Sequence, residues 1–492
     1  MIKLYVEPVY TKIYGLKDEH YAEMLSDQLS YRKQGYFFSK AYQNKLWDGR
    51  QRLLWVNEDG IMETYSGLVK RMTIFFNKQG LKYKIIKRYA HHEVKVDDVK
   101  LEGQQQRSYQ VEVNEVCKKK KRGIIQSPTG SGKTEMFVKL TADLNLPTLI
   151  VVNRTALLGQ LQDKIIERMG LRKTEFNTIG GNITFYKKEN TITIATFQSL
   201  LTGKWNHILR DCKVIIFDET HHVAANELGR IAKKANNTLY RIGLSATPKR
   251  EDGADMMIEA LIGPKIYHKS ISELIRMGYL AKPYIYFVRV KHNSNVKLAY
   301  PSQYKILAES DERNAIIAKI AYEFAKRNKI VLISVIRLNH INRILEHLKR
   351  IDDIGFNIKV ITGKDSSQEK IRTIKKMNTG EFNIVISTLF GEGVDVPNLN
   401  VLINARAAKS LIDAVQQVGR VLRPKDDGES PYVIDFYDYN PKVKEWNQKH
   451  PEDKKIDYFQ RYAKRRIKAY QSEPEFEVTV VESVDEILKE IE

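Results

Sequence analysis

Two successive series of short apolar runs organise most of the chain. The first is Arg122–Gln126, Pro147–Val152, Thr191–Thr196, Val214–Phe217 and Arg241–Ser245. The second is Ile330–Val335, Ile358–Ile361, Ile384–Ser387, Val401–Ile403 and Tyr432–Phe436. The runs are rich in Ile and Val, lack polar alternation and are separated by helix-length segments. Such runs are strands buried on both faces, so the pattern predicts parallel sheets covered by helices. Two series predict two such α/β domains in tandem, joined near Ala281-Lys282-Pro283. Residues 1–95 precede them as a small α/β block rich in aromatic and basic residues. The predicted domains are therefore 1–95, 96–283 and 284–445, with 446–492 as a C-terminal extension. In that extension Arg461–Lys468 reads as a basic helix, and beyond Pro474 the sequence turns acidic. The acidic tail has three open readings: it packs on the basic core, mimics nucleic acid, or docks a partner.

At 492 residues the chain is too long for a single core. Its formal net charge of +21, from 81 basic and 60 acidic side chains, favours a polyanionic partner, most simply nucleic acid. Only Cys117 and Cys212 are present, which excludes a disulfide framework or a cysteine-rich zinc site. No apolar run is long enough to cross a bilayer, so no membrane partner is expected. The alternating, acid-bearing start Met1–Glu7 reads as a strand, unlike a signal peptide, so the expectation is a soluble intracellular protein.

Ser127-Pro128-Thr129-Gly130-Ser131-Gly132-Lys133-Thr134 follows a predicted strand and should open a helix. Gly130 and Gly132 let the backbone approach phosphate, and the N–H groups of Thr129 to Gly132 with the helix dipole hold the anion. Lys133 should reach the β- and γ-phosphates, and Thr134 should ligate Mg²⁺. Asp218 and Glu219 follow Val214–Phe217, which places two carboxylates at a strand's C-terminal end. Asp218 reads as a second Mg²⁺ ligand and Glu219 as the general base for the attacking water. His221 reads as a relay between nucleotide and neighbouring loops. Gln110, upstream, carries an amide able to pair with N6 and N7 of adenine, which selects ATP. Far along the chain, Gln416-Gln417-Val418-Gly419-Arg420-Val421-Leu422-Arg423 spaces two arginines for one helix face. Arg420 and Arg423 can meet a transferring phosphoryl group, with Gln416 positioning water or the γ-phosphate. An exposed basic helix would carry the same residues.

Other strand ends offer groups that suit a phosphate backbone: Arg154 after the second run, Thr196 and Gln198 after the third. Thr388 and the loop Gly391-Glu392-Gly393-Val394-Asp395 offer the same from the second domain. Gly391 permits close approach; Gly393 and Asp395 link the track to the triphosphate. Ser245 and Thr247 can sense the nucleotide and couple hydrolysis to movement. In the first block Trp47, Arg50 and Arg52 mix aromatic and cationic chemistry that could stack on an opened base pair and hold phosphate. Trp47 reads equally well as core, with Asp48-Gly49 as a hairpin turn.

Taken in register, these segments resemble the superfamily 2 helicases. The matching stretches are Gln110, Ser127–Thr134, Asn153–Thr155, Thr196–Ser199, Asp218–His221, Ser245–Thr247, Thr388–Pro397 and Gln416–Arg423. The resemblance covers roughly residues 100 to 440 and implies two RecA-like domains with ATP and Mg²⁺ in the cleft between them. The family has Ala where Ser127 stands and often Arg where Gln417 stands. Gly35–Phe38, Leu46–Leu54 and Gln460–Ala463 extend the resemblance to UvsW-type helicases of tailed bacteriophages. That group implies a small DNA-binding N-terminal domain, 3′-to-5′ travel, and action in the host cytoplasm on branched or forked DNA and on RNA in R-loops, as a monomer on DNA. Two other readings stay open at this point: an ATP-dependent RNA helicase, and a passive nucleic-acid-binding protein with an inactive ATPase.

Overall fold

The computed structural model describes residues 1–88, 99–103, 105–181, 183–220, 225–246, 255–295, 300–351, 355–389, 396, 398–407, 411–425 and 428–491. The chain divides into two compact units: Met1–Ser127 with Gly132–Lys269, and Pro128–Ser131 with Ser270–Glu492.

The first unit is built on an eight-stranded sheet. Its order is Ile183–Phe185, Asn177–Gly180, Ile192–Thr196, Thr148–Val152, Val214–Phe217, Tyr240–Ser245, Arg122–Gln126, Lys265–His268. Every pairing is parallel except that of Ile183–Phe185 with Asn177–Gly180. The central strands are buried along their whole length, as runs without polar alternation require. Because all these strands run the same way, their C-terminal ends form one rim.

Residues 1–88 add a five-stranded sheet in the order Leu54–Val56, Met62–Tyr65, Tyr10–Tyr14, Ile2–Val6, Tyr83–Lys87. Leu4, Leu68, Met72 and Phe76 belong to the same apolar cluster as Phe217, Leu228 and Ile258 of the larger sheet's layers. The approach is close: a Cβ on Gly67 would lie 1.9 Å from the Glu259 carbonyl oxygen, so only glycine fits there. Beside it Arg71 Nη2 meets Glu259 Oε2 at 2.6 Å, and Arg122 donates to the Pro8 carbonyl.

The second unit holds an all-parallel seven-stranded sheet. Its order is Ile358–Ile361, Ile384–Ser387, Val331–Ser334, Val401–Asn404, Tyr432–Tyr439, Tyr284–Lys291, Glu477–Val481. Two boundaries differ from the sequence expectation. The second unit starts at Ser270 rather than near 284, because Ser272 donates from N and Oγ to Glu473 Oε2 and Arg276 pairs with Glu475. Residues 446–492 are not a separate extension. Glu477–Val481 adds a strand beside Tyr284–Lys291, and the acids of the tail pair with Lys282, Arg289 and Lys319. Of the three readings of the tail, packing on the basic core is the one observed.

The basic helix Tyr458–Gln471 also folds inward. Phe459, Tyr462, Ala463, Arg466 and Tyr470 form its buried stripe. Arg466 is fully buried and donates Nε and Nη2 to Asp435, whose carboxylate also accepts from Asn404. A buried carboxylate that loses its cation is left uncompensated at a cost of about 3–5 kcal/mol. Arg466→Ala should therefore lower unfolding stability by that amount in chemical denaturation. An unchanged midpoint would show that Asp435 is satisfied without it.

Candidate functional site

The phosphate loop emerges where Arg122–Gln126 ends, and Ser127 N donates to the Ser245 carbonyl at 3.1 Å. Gly130 and Gly132 have φ of +82° and +73°, a region that costs other residues strain. Gly132 then caps the helix Lys133–Leu144, and its carbonyl accepts from Glu135 N. Gln110 lies against this turn. Its Oε1 accepts from Arg107 N at 2.9 Å, and a Cβ on Gly132 would come within 2.5 Å of its Nε2. The amide expected to read a base is thus anchored beside the loop.

Across the rim, Asp218 and Glu219 leave the strand Val214–Phe217. Asp218 N donates to the Val151 carbonyl, continuing the ladder by one residue. Glu219 has φ of +45°, a left-handed conformation uncommon for a side chain with a Cβ and typical of strained functional positions. That turn directs Glu219 Oε1 to Lys133 Nζ, 2.5 Å away, while Ala246 N faces Oε2 at 3.5 Å. Burial first, then the Glu219 charge, push the Asp218 carboxyl up to about 7, and Lys133 opposes the rise. Asp218 Oδ1 is buried without a hydrogen-bond partner. A buried, orphaned carboxylate oxygen beside a second carboxylate fits a divalent cation, and Thr134 opens the neighbouring helix with a hydroxyl. Gln110, Gly132, Lys133, Thr134, Asp218, Glu219 and Ser245 therefore meet at one rim of one unit. The arrangement can hold a triphosphate, neutralise it and activate water.

In the second unit Gln416 is buried on the helix Leu411–Val421, and Arg420 lies half-buried near its end. The shared helix face expected for Arg420 and Arg423 does not extend to Arg423. The helix closes at Val421, because Pro424 drives the preceding residue out of the helical region. The segment is instead pinned by the Leu422 carbonyl, which accepts from Ala281 N at 2.6 Å. Gln417 is fully buried and neither of its amide atoms has a hydrogen-bond partner. Its departure from the family pattern is the only sequence signal that marked it.

Among the strand-end residues, Arg154 and Gln198 are exposed and Thr388 is half-buried. Thr196 is buried, and its Oγ1 accepts from Ser199 N to cap the helix Phe197–Leu201. It shapes the turn that presents Gln198 rather than facing solvent itself. His221, Thr247, Gly391, Gly393 and Asp395 lie outside the described residues.

In the N-terminal block the candidate residues have partners within the protein. Trp47 Nε1 donates to the Arg50 carbonyl at 2.7 Å, and Arg50 Nη1 donates to Ser30 Oγ at 2.9 Å. Both residues tie the strand pair Ser30–Arg32 and Arg50–Arg52 together, and Arg52 is paired with Asp27 and Asp48. No tight Asp48-Gly49 hairpin joins these strands; residues 33–49 span the gap with two short helical turns. Phe38 on the first turn is 77% exposed and Leu46, just past the second, 81%, with the Phe37 and Phe38 ring centroids 4.3 Å apart at a tilt of 47°. Arg32, Lys33, Lys40 and Lys45 surround them in sequence. Alternation could not identify Phe38 and Leu46, since an apolar residue reads as core until the packing is known.

Comparison with known proteins places these features. Residues 98–250 match the family described as type III restriction enzyme, res subunit, and residues 312–425 match the helicase conserved C-terminal domain. Together the two cover more than half of the chain. The DNA 3′-5′ translocase XPB2 of Sulfurisphaera tokodaii is 29% identical over 355 residues, spanning 65% of this chain and 79% of that protein. The ATP-dependent DNA helicase uvsW of Enterobacteria phage T4 is 24% identical over 373 residues, 72% of each chain. In fold, a fragment of an HsdR subunit of a type I restriction enzyme from Vibrio vulnificus aligns with a TM-score of 0.57 and 19% identity. That alignment covers 91% of this chain and 83% of the fragment.

Gly132→Ala should weaken binding of a fluorescent ATP analogue about tenfold, since a left-handed residue with a Cβ costs about 1–2 kcal/mol. Gly159→Ala is the control. Gly159 sits in the helix Thr155–Met169 with open space around its Cβ direction, so the helix should gain stability and nucleotide affinity should hold. Equal affinity in wild type and Gly132→Ala would remove the loop from the binding site.

Proposed function

We propose, for a chain that belongs to the superfamily 2 helicases, that it is an ATP-driven DNA motor that remodels branched DNA, travelling 3′ to 5′. The observation that carries the reading is the Lys133–Glu219 contact beside the orphaned Asp218 oxygen. When ATP binds, its phosphates compete with Glu219 for Lys133. The released carboxylate is then free to take a proton from the attacking water. Thr134 and Asp218 would hold Mg²⁺, which would supply charge neutralisation for the phosphates. By the resemblance, Arg420 and Arg423 would supply positive charge to a transferring phosphoryl group and Gln416 would orient water. Ser245, whose carbonyl holds Ser127 and whose neighbour Ala246 faces Glu219, transmits the change along the rim.

Branched DNA suits such a motor on energetic grounds. Moving a junction breaks one base pair as another forms, so the net cost per step is near zero. Opening a plain duplex loses about 1.4 kcal/mol of stacking per step. The similarity to a phage helicase and a DNA translocase supports DNA as the track. The exposed Phe38 ring supplies a stacking surface for a base unpaired at a fork, and exposed Leu46 adds apolar contact.

ATP-dependent unwinding of a four-way junction, a fork, an R-loop and a blunt duplex tests the reading. Junction and fork should outrank the blunt duplex. Glu219→Gln should keep ATP binding while hydrolysis falls at least a hundredfold. Equal turnover on the blunt duplex removes the branched-DNA reading, and equal ATPase stimulation by a matched RNA strand turns the track to RNA.

A second test addresses the N-terminal tip. Phe38→Ala with Leu46→Ala should reduce fork affinity about tenfold or more with an unchanged melting temperature, since stacking contributes about 1–3 kcal/mol per base. Trp47→Ala should lower the melting temperature through the lost tie to Arg50. If the exposed pair changed only stability, the tip would be structural.

A further inference from the structure

A cleft of about 500 Å³ lies at the opposite end of the first unit's sheet from the phosphate loop. Arg122, at the start of the strand Arg122–Gln126, lines it, whereas Ser127 leaves that strand's other end toward the nucleotide. Five residues at about 3.3 Å each put the two ends roughly 15 Å apart, so the cleft is not part of the nucleotide site. Val6, Pro8 and Lys87 of the N-terminal sheet form one wall, and Leu239, Pro264 and Lys265 of the larger sheet's starting edge form the other.

The charge on these walls is one-sided. Lys70, Lys87, Lys120, Lys121 and Lys265 border the cleft together with Arg122 and Arg241, and none of its described lining residues is acidic. Three of these cations have neutral groups beside them. Lys121 Nζ lies over the Tyr240 ring, Lys265 Nζ donates to Gln126 Oε1, and Arg122 donates to the Pro8 carbonyl.

Arg241 is the second, independent sign. It is 1% exposed, and its Nη atoms donate to the carbonyls of Ala232, Ala235 and Leu261 and to Thr238 Oγ1. Among the described residues no carboxylate pairs with it, and its Nε is buried without a hydrogen-bond partner. Burial, then the charge of Arg122, bring its guanidinium down to about 9. A buried cation beside a cleft bordered by several lysines raises the local potential and stores repulsion that an anion relieves.

We propose that this cleft is a second phosphate-binding site, which holds the sugar–phosphate backbone of a nucleic-acid strand away from the motor's track. The proposal rests on the reading of the chain as a nucleic-acid motor. The cleft's size suits a short stretch of one strand, and its mixed walls of lysine and apolar side chains suit phosphate and sugar together. A motor working at a junction has such an arm to hold, because strands beyond the one in the track leave the branch point.

The test uses the full chain with Lys70→Gln, Lys87→Gln and Lys120→Gln combined. All three side chains are exposed, so the fold should be retained. Binding of a forked DNA is followed across salt concentrations, beside the ATPase stimulated by a short single strand. Loss of about three phosphate contacts should reduce the slope of log K against log salt by about 2, since each contributes about 0.7 on a single strand. Stimulated ATPase should stay at the wild-type level. An unchanged slope in the triple variant overturns the cleft. So does an equal drop when three exposed lysines elsewhere, Lys305, Lys444 and Lys449, are replaced, because net charge would then set the slope. If inorganic tripolyphosphate competes with wild type no better than with the triple variant while the fork slope falls, the strand is the ligand. If tripolyphosphate loses its competition and the fork slope holds, the site takes soluble oligophosphate and the strand proposal fails. Absence of any single-strand stimulation in wild type would instead strike the motor reading itself.

Discussion

The contact between Lys133 and Glu219 depends on the common direction of the strands in the first sheet. The strand that feeds the phosphate loop and the strand that carries Asp218 are not neighbours; Tyr240–Ser245 lies between them. Strands two apart stand roughly 10 Å from each other. A lysine and a glutamate can close that gap only if both leave their strands at the same rim and turn toward each other. The positive φ of Glu219 supplies one turn and the glycines of the phosphate loop the other. The intervening strand is not a spacer alone, since Ser245 and Ala246 hydrogen-bond to the loop and to the carboxylate respectively. One antiparallel substitution among these three strands would move a third of the site to the far edge.

The same parallel order leaves the strands' starting edge free, and the N-terminal sheet covers part of it. The cover is intimate where Gly67 meets the Glu259 carbonyl and loose where the cationic cleft remains. These two features share a cause. A single apolar cluster joins the N-terminal sheet to the larger one, so the small block cannot ride independently of the motor half it is packed on. Its tip, with Phe38 and Leu46 exposed, is thereby held on the first unit. An apolar tip carried on a rigid mount loses less conformational entropy on engaging bases than one on a free linker.

The buried parallel strands were legible because fully covered strands cannot alternate, and Ile/Val runs of that length have few other uses. Strands at the sheets' flanks were not. Asn177–Gly180 has a single strongly apolar residue, Ile179, among Asn, Thr and Gly, Lys265–His268 is half-exposed, and Tyr284–Lys291 continues past the predicted linker without a break in pattern. The chemistry of the rim was legible because phosphate demands glycine, lysine and carboxylates in a fixed order. Its geometry was not: nothing local to Asp218 announces an orphaned oxygen, and the exit of Arg423 from its helix follows from Pro424, three residues past the helix end. The N-terminal block was less legible for a different reason. Trp47 and Arg50 have the composition of a binding site, yet Trp47 Nε1 donates to the Arg50 carbonyl and Arg50 Nη1 to Ser30 Oγ, while Phe38 and Leu46, which composition alone did not single out, stand in solvent.

The acidic tail shows how charge can be structural without being a partner signal. Glu477–Val481 is the outer strand of the second sheet, paired on one side with Tyr284–Lys291. A flat apolar strand at that position would template further pairing with another chain. Here Glu477 and the acids around it meet Lys282, Arg289 and Lys319 at the surface, pairs that individually contribute little stability. The burial of Val481, Val484 and Ile487 holds the segment down. The ion pairs then do what apolar contacts cannot: they fix which residues lie opposite, and they leave a charged edge that a second copy of the sheet has reason to avoid. In a chain of net charge +21, spending acids on that edge also leaves the remaining basic surface less compensated, which is the condition a polyanion needs.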